Sequence, residues 1–185
     1  STVAVASRTK LVPKGAAGRG MHAYVAWQNQ VLSASDHACE LWIEQPVCHP
    51  ATTFVAESLR AIGGYRAIHG PEDYDLFLRL QAQGDLEKRP DIHHAWREHR
   101  GRTTWTSGRH HRDAFAALKA EALVERFSLR TRPLLIAGAG KEGGRIGKAL
   151  AQLGVRTEAY VDVADRRIGS VRHGAPIFPV DELPR

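Results

Sequence analysis

Two periods of apolar residues run through this chain, and each change of period marks an element. Val3 to Ser7 reads Val-Ala-Val-Ala-Ser, the pattern of a strand, and gives way to a basic stretch, Arg8 to Lys14 with Pro13, then to Gly15, Gly18 and Gly20. A strand running into a loop is expected there. Met21, Tyr24, Val25 and Gln28 recur at helical intervals with Trp27 and Val31 on an adjacent stripe, which predicts a helix over 21–32. Ser35-Asp36 offers the cap of a second helix, 36–43. The run Thr52-Thr53-Phe54-Val55 predicts a strand, and residues 57–62 a short helix stopped by Gly63-Gly64, a pair free to take positive φ.

The stretch from His69 to Leu80 organises what surrounds it. Leu76 and Leu80 share a helical face with Phe77 beside them, Pro71 suits a first turn, and Glu72, Asp73 and Asp75 sit where the helix dipole favours negative charge. This helix buries its body, leaves carboxylates at its open end and closes at Gly84. With the glycine pair beside it, the mouth is a candidate binding wall; the plainer alternative is that the acids only cap the helix. Ile92 to Trp96 predicts a strand, and Arg97 to Arg102 is the densest charged patch, with Arg100 and Arg102 equally readable as a solvated face. Thr106-Ser107 caps a helix from Gly108 to Phe127, with Phe115, Leu118, Ala122 and Leu123 on its apolar face. The basic linker 128–133 places a domain boundary there, giving units 1–128 and 129–185.

In the second unit an apolar run, Pro133 to Ala137, leads directly into Gly138-x-Gly140-x-x-Gly143 and a helix, Arg145 to Leu153. A second strand, Thr157 to Val161, ends in Asp162, 22 residues after Gly140 and close to where an acid meets a ribose hydroxyl in a dinucleotide fold. Glycines let the backbone approach a diphosphate, and the helix N-terminus supplies free N–H groups. The alternative is that the glycines only permit tight strand-to-helix packing.

Composition narrows the classes. At 185 residues, 43% hydrophobic and 25% charged, the chain suits one or two soluble domains. No apolar run approaches the roughly 20 residues of a membrane span, and no signal pattern opens the sequence, so a cytoplasmic protein is expected. The net charge of +6 calls for an anionic neighbour: a sugar nucleotide, or peripheral contact with the inner face of an anionic membrane. No helix carries a basic stripe with interleaved aromatics, so nucleic acid is not an expected partner. Cys39 and Cys48 are too few for a disulfide framework, and His37, Cys39, Cys48 and His49 lack the paired spacing of a zinc site. Cys48 is expected to be a small buried residue and His49-Pro50 a turn.

Taken in order and at their distances, Gln45-Pro-Val-Cys-His-Pro-Ala-Thr-Thr-Phe54, Ile62-Gly-Gly-Tyr-Arg66, Pro71-Glu-Asp73, Lys88-Arg-Pro90 and Trp96-Arg-Glu-His99 resemble the C-terminal half of the catalytic domain of family 2 glycosyltransferases of the GT-A fold. The resemblance spans about Val3 to Phe127. It implies an inverting transfer of a sugar from a nucleotide-sugar donor to a carbohydrate or lipid-linked acceptor. Asp73 would be the general base and Glu72 would orient the acceptor or the loop, with Gly63 and Gly64 beside the substrate and Asn29 on the acceptor side. Arg97 and Arg102 would meet phosphate, and His99 would approach a divalent cation, Mg or Mn, that neutralises the leaving diphosphate. In that family the donor-binding half, with its Asp-x-Asp metal motif, precedes the strand at Val3, so the chain as given is expected to transfer little or nothing alone. Asp73-Tyr74-Asp75 also spells Asp-x-Asp, but residues two apart on a helix face different ways.

Leu134 to Leu183 resembles the small Rossmann-like domain that opens certain nucleotide-sugar acetyltransferases, which implies a nucleotide-sugar or dinucleotide at Gly138, Gly140, Gly143 and Asp162. The expected fold is therefore α/β: a partial GT-A-type, Rossmann-like glycosyltransferase domain and a small, incomplete Rossmann-like βαβ unit. So little sheet needs further cover, from more chain, the first domain or an oligomer partner. The rival from another class is a non-catalytic nucleotide or nucleotide-sugar binding module acting through the C-terminal glycines.

Overall fold

Strand β1 runs from Thr2–Val12, farther than its apolar start predicts. Arg8 to Val12, read from sequence as a basic loop, stay extended because each pairs with a long partner strand, β3, Asp85–Arg97, from Arg8 opposite Ile92 to Val12 opposite Arg97. The pairing is parallel. On the other side of β1 a short antiparallel strand, β2, Thr52–Phe54, covers only Ala4 to Ala6. Farther along, the Asn29 side chain stands in for a neighbouring strand: it accepts from the Thr9 N–H at 2.9 Å and donates to the Thr9 carbonyl at 2.8 Å. Pro90 lies inside β3, which is an edge strand, and the register jumps there from Ser7↔Arg89 to Arg8↔Ile92. The missing proline N–H thus falls where the ladder skips.

The computed structural model describes residues 1–13, 15, 17–99, 101–102 and 111–182. Lys14, Arg100, the Thr106-Ser107 cap, the helix start at Gly108 and Leu183 lie outside the described residues. The chain is α/β and divides into two compact units, Ser1–His110 and His111–Arg185. Among the described residues no helix is long and apolar enough to cross a membrane.

In the first unit the sheet order is β2-β1-β3, and among the described residues four helices accompany it: α1, Arg19–Gln30; α2, Ala34–Glu40; α3, Ala56–Ala61; α4, Glu72–Gln81. The cap of α2 is Ser33, two residues before the Ser35 expected, because Ser33 and Asp36 form a reciprocal capping box. Trp27 is half-buried and donates to Glu40 at 3.0 Å, tying α1 to α2. Leu41, Tyr74, Leu76, Phe77 and Leu80 are completely buried, and α4 supplies four of the five. Each such burial contributes roughly 1.5–3 kcal/mol, which is why α4 holds its place.

Polar groups are buried here too. The Lys88 ammonium donates to the carbonyls of Gln28 and Pro46. Burial pulls Lys88 down to about 8 and His37 to about 4, with the Lys88 charge adding to the effect on His37. Burial likewise pushes the Cys48 thiol up to about 11.

In the second unit the sheet order is β4-β5-β7-β6: Leu134–Ala137, Thr157–Asp162, Ala175–Pro179 and Val171–Arg172. The first three are parallel and β6 is antiparallel to β7. A helix, α6, Lys141–Gln152, joins β4 to β5 as a βαβ crossover, starting four residues earlier than its sequence pattern suggests. Helix α5, Arg112–Phe127, belongs with this unit: its Ala116, Ala120 and Val124 share one core with Ile136, Leu150, Tyr160 and Ile177. The linker reading had placed that helix in the first unit. Leu135, on β4, stays 38% exposed.

Candidate functional site

At the mouth of α4 the N-cap is Pro71, which has no side chain to offer the free N–H groups. Asp73 fills part of that need, accepting from the Tyr74 N–H at 2.8 Å. Its other oxygen accepts from the Gln45 side chain at 3.3 Å. Both partners are neutral, and Asp73 is only half-buried, so its charge remains available at the surface. Glu72 beside it is exposed.

Gln45 is itself rigidly held. Its amide also donates to the Val47 carbonyl at 3.1 Å, and its own carbonyl accepts from Tyr24 Oη at 3.0 Å and Gln28 Nε2 at 2.9 Å. Burial, then the charges of Glu44 and Asp73, keep the Tyr24 phenol protonated well above its usual range. Gln45 therefore fixes the direction of the Asp73 carboxylate from a buried position.

Asp75, two residues on, has the opposite fate: it is 2% exposed and lies between two arginines. Arg66 pairs with it through Nε at 3.1 Å and through Nη2, and Arg79 through Nη2 at 2.7 Å. Burial alone would raise this carboxyl, but the hydrogen bonds and charges of the arginines outweigh it and hold the group below the usual carboxylate range. Arg79 also donates to the carbonyls of Ile62 and Gly64, both at 2.8 Å. Gly63 and Gly64 sit at φ 75° and 65°, the left-handed region that favours glycine. So one buried acid fastens the glycine loop to the helix.

Between Gly64 and Arg66, both anchored on α4, stands Tyr65. Its hydroxyl is hydrogen-bonded to His49 Nε2, and the His49 ring packs edge-on against Tyr65 and Phe77 and tilted against Phe54. Burial, then the Asp73 and Glu72 charges, raise the Tyr65 phenol. His49, Tyr65, Glu72, Asp73 and Gln45 thus make one neighbourhood.

The other residues expected at the site stand elsewhere on the first unit. Arg97, at the end of β3, is exposed, as is His99 just beyond it. Arg102 is engaged by the chain: its guanidinium pairs with Glu98 and lies 4.4 Å from the centre of the Trp96 ring, with both ion-pair side chains about nine-tenths buried. That geometry gives Arg102 a packing role in place of the phosphate contact expected of it. Asn29, tied to Thr9, is likewise a backbone clamp and not an acceptor contact. Among the described residues no three His, Cys, Asp or Glu side chains form a group that could hold a metal ion, so no such group is assembled around His99 from them. Of the residues expected at the site, Asn29 alone lines the hollow bounded by Leu11, His22 and Val25.

In the second unit Gly138 takes φ 94°, Gly140 is the N-cap of α6, and a Cβ at Gly143 would run into the Gly138 carbonyl. The triplet therefore makes a tight strand-to-helix turn. Asp162 is 5% exposed and turned into it, accepting from the N–H groups of Ala139 at 2.7 Å and Ala164 at 2.8 Å and pairing with Arg167 at 3.0 Å. The Ala164 bond does most to hold this carboxyl below its usual range. The spacing that suggested a ribose partner is occupied by a latch on the glycine loop.

Compared with protein-family models, with curated proteins and with solved structures, the chain finds no match. Its function therefore rests on the geometry. Sequence reasoning assigned no role to Gln45, Tyr65, Arg66 or Arg79, although the first three lie in the segments that carry the family resemblance. Of these only Arg79 left a local signal, an arginine four residues after an acid on one helix.

Proposed function

We propose that the first unit is the acceptor-side part of an inverting glycosyltransferase, with Asp73 as the general base. A hydroxyl of the acceptor gives its proton to the Asp73 carboxylate as its oxygen attacks the anomeric carbon of a nucleotide-activated sugar, and the nucleotide diphosphate leaves from the opposite face. Gln45 aims the carboxylate, Glu72 holds a neighbouring hydroxyl, and Gly63-Gly64 forms the adjoining wall. The observation that carries this reading is that Asp73 alone of the two buried-helix acids keeps neutral partners and an exposed edge, while Asp75 carries the structural load. The ordered resemblance of residues 45–99 to family 2 glycosyltransferases supports it as well. A divalent cation and the donor diphosphate would be held by groups other than those assembled here.

Transfer from a panel of nucleotide sugars, assayed on the longest natural polypeptide that contains this chain, tests the assignment. Asp73→Asn is expected to lower the rate by roughly 100- to 10,000-fold, the usual worth of a positioned base. Transfer that is unchanged in Asp73→Asn overturns it.

A second reading has its own observation: the glycine turn 138–143 opens α6 without a side-chain cap, leaving N–H groups that suit a nucleotide diphosphate. It is a binding module in this case, and nucleotide binding survives Asp73→Asn but is lost when Gly140 becomes bulky. Titration of both variants with UDP-sugars and NAD separates the two.

A further inference from the structure

We propose that Tyr65 is the platform on which a pyranose ring of the acceptor lies, so that the attacking alcohol belongs to a sugar and not to a lipid or a peptide side chain; this rests on the glycosyl-transfer reading of Asp73. Tyr65 is 48% exposed, and single exposed aromatics are ordinary on protein surfaces. What sets this one apart is how it is held. The residue before it has its carbonyl bound by Arg79, and the residue after it is paired with buried Asp75, so the backbone at 65 is pinned to α4 from both sides. The phenol oxygen is bonded to His49, whose ring is wedged against Phe54 and Phe77. An exposed ring fixed at both ends loses little freedom when something lies on it.

The chemistry around the ring selects the occupant. A pyranose has a face of C–H bonds that packs on an aromatic ring and a rim of hydroxyls that need acceptors. Tyr65 is pinned to the helix whose first turn carries Glu72 and Asp73, and these carboxylates are acceptors only. A flat apolar surface bordered by carboxylates meets both needs of a sugar at once. A lipid chain would use the ring and waste the acids, and a serine would do the reverse.

Saturation-transfer NMR tests this, with methyl β-D-glucopyranoside, methyl β-D-galactopyranoside and N-acetylglucosamine as probes and glycerol as a polyol without a ring. Irradiating the aromatic protons should saturate the C–H protons of at least one pyranoside and leave glycerol untouched. Tyr65→Leu should weaken that binding by roughly three- to tenfold, the range of an aromatic contact, while Tyr65→Phe and Tyr65→Trp retain it. Absence of any pyranoside binding, equal binding of glycerol, or indifference to Tyr65→Leu overturns the platform. Should binding follow Tyr65 while Asp73→Asn transfers normally, the base assignment falls and the platform stands. Transfer that needs Asp73 but ignores Tyr65 removes the platform alone.

Discussion

Among the described residues two helices have a glycine turn and a carboxylate at or beside their N-terminal ends, and they use that carboxylate in opposite senses. At α4 the loop is fastened by Asp75, which works through Arg66 and Arg79, and Asp73 is left half-exposed on neutral partners. At α6 the acid in the expected ligand position, Asp162, is the fastener: it holds the Ala139 N–H of the loop and is nearly buried. A carboxylate beside a glycine turn is therefore ambiguous until the group that anchors the turn has been found. In the first unit the anchor is a different residue, and that division of labour leaves Asp73 with no anchoring duty and free for the role proposed for it.

The difference is largest at Asp75. Asp75→Ala removes the buried carboxylate that Arg66 and Arg79 share, and it should cost about 3–5 kcal/mol, the usual penalty for breaking a buried pair. Arg66 is 44% exposed and can turn to water, which favours the low end. All four tryptophans, at 27, 42, 96 and 105, precede residue 111, so tryptophan fluorescence in a urea titration reads the first unit selectively. A loss below about 1 kcal/mol, typical of exposed pairs, would mean that Asp75 is not the anchor.

The cores differ as well. The first unit buries His37, Lys88 and Cys48, whereas the described core of the second is built from Ala, Val, Ile, Leu and Tyr. His37 ionises near its ordinary 6.5 when unfolded but only at about 4 when folded, so between these limits the unfolded chain binds the extra proton. The His37 contribution to the stability of the first unit is thus complete above 6.5 and is lost as pH drops towards 4, by on the order of 3 kcal/mol. Lys88 changes charge only on the alkaline side and does not blur that window. His37→Leu should flatten the acid limb in fluorescence-detected denaturation across this range; an unchanged limb would place the effect elsewhere.

How much of this was legible in the sequence follows from how far apart the partners are. Helix α4, the positive φ at Gly63 and Gly64, and the β4-α6-β5 unit were all visible, because periodicity and glycine chemistry are local. Arg8 to Val12 looked like a loop since their pairing lies more than eighty residues away along the chain, in β3. The Tyr65–His49 bond and the Gln45–Asp73 bond, at separations of 16 and 28, carry no local pattern either. Asp162 misled for a sharper reason: the spacing that puts an acid near a ribose also puts it within reach of the Ala139 N–H, and only coordinates distinguish the two.

If Asp162 is a latch, its loss should be felt within the second unit. Asp162→Ala strands the N–H groups of Ala139 and Ala164 and removes the Arg167 pair, which should cost about 2 kcal/mol. Arg167 is one-third exposed, so most of that loss comes from the N–H groups. Amide hydrogen exchange at Ala139 is the direct readout, and protection there should fall while the first unit is unaffected. Unchanged protection would return Asp162 to the surface and restore its ligand role.

Asp73 should give the smallest stability change, and that is what makes it the sharpest test. Its partners, the Gln45 amide and the Tyr74 N–H, are neutral donors at a half-exposed position. Asn in its place keeps one acceptor oxygen, gives up the long 3.3 Å bond from Gln45 and forfeits the favourable charge at a helix N-terminus, about 1 kcal/mol in all at this half-exposed position. The Asp73→Asn variant should therefore melt within a few degrees of the parent while its chemistry collapses. A general base and a structural cap make opposite demands on this substitution, since a cap costs stability and leaves catalysis alone. If Asp73→Asn destabilised the first unit as much as Asp162→Ala destabilises the second, the two mouths would be alike, and α4 would hold its acids for the sake of the helix alone.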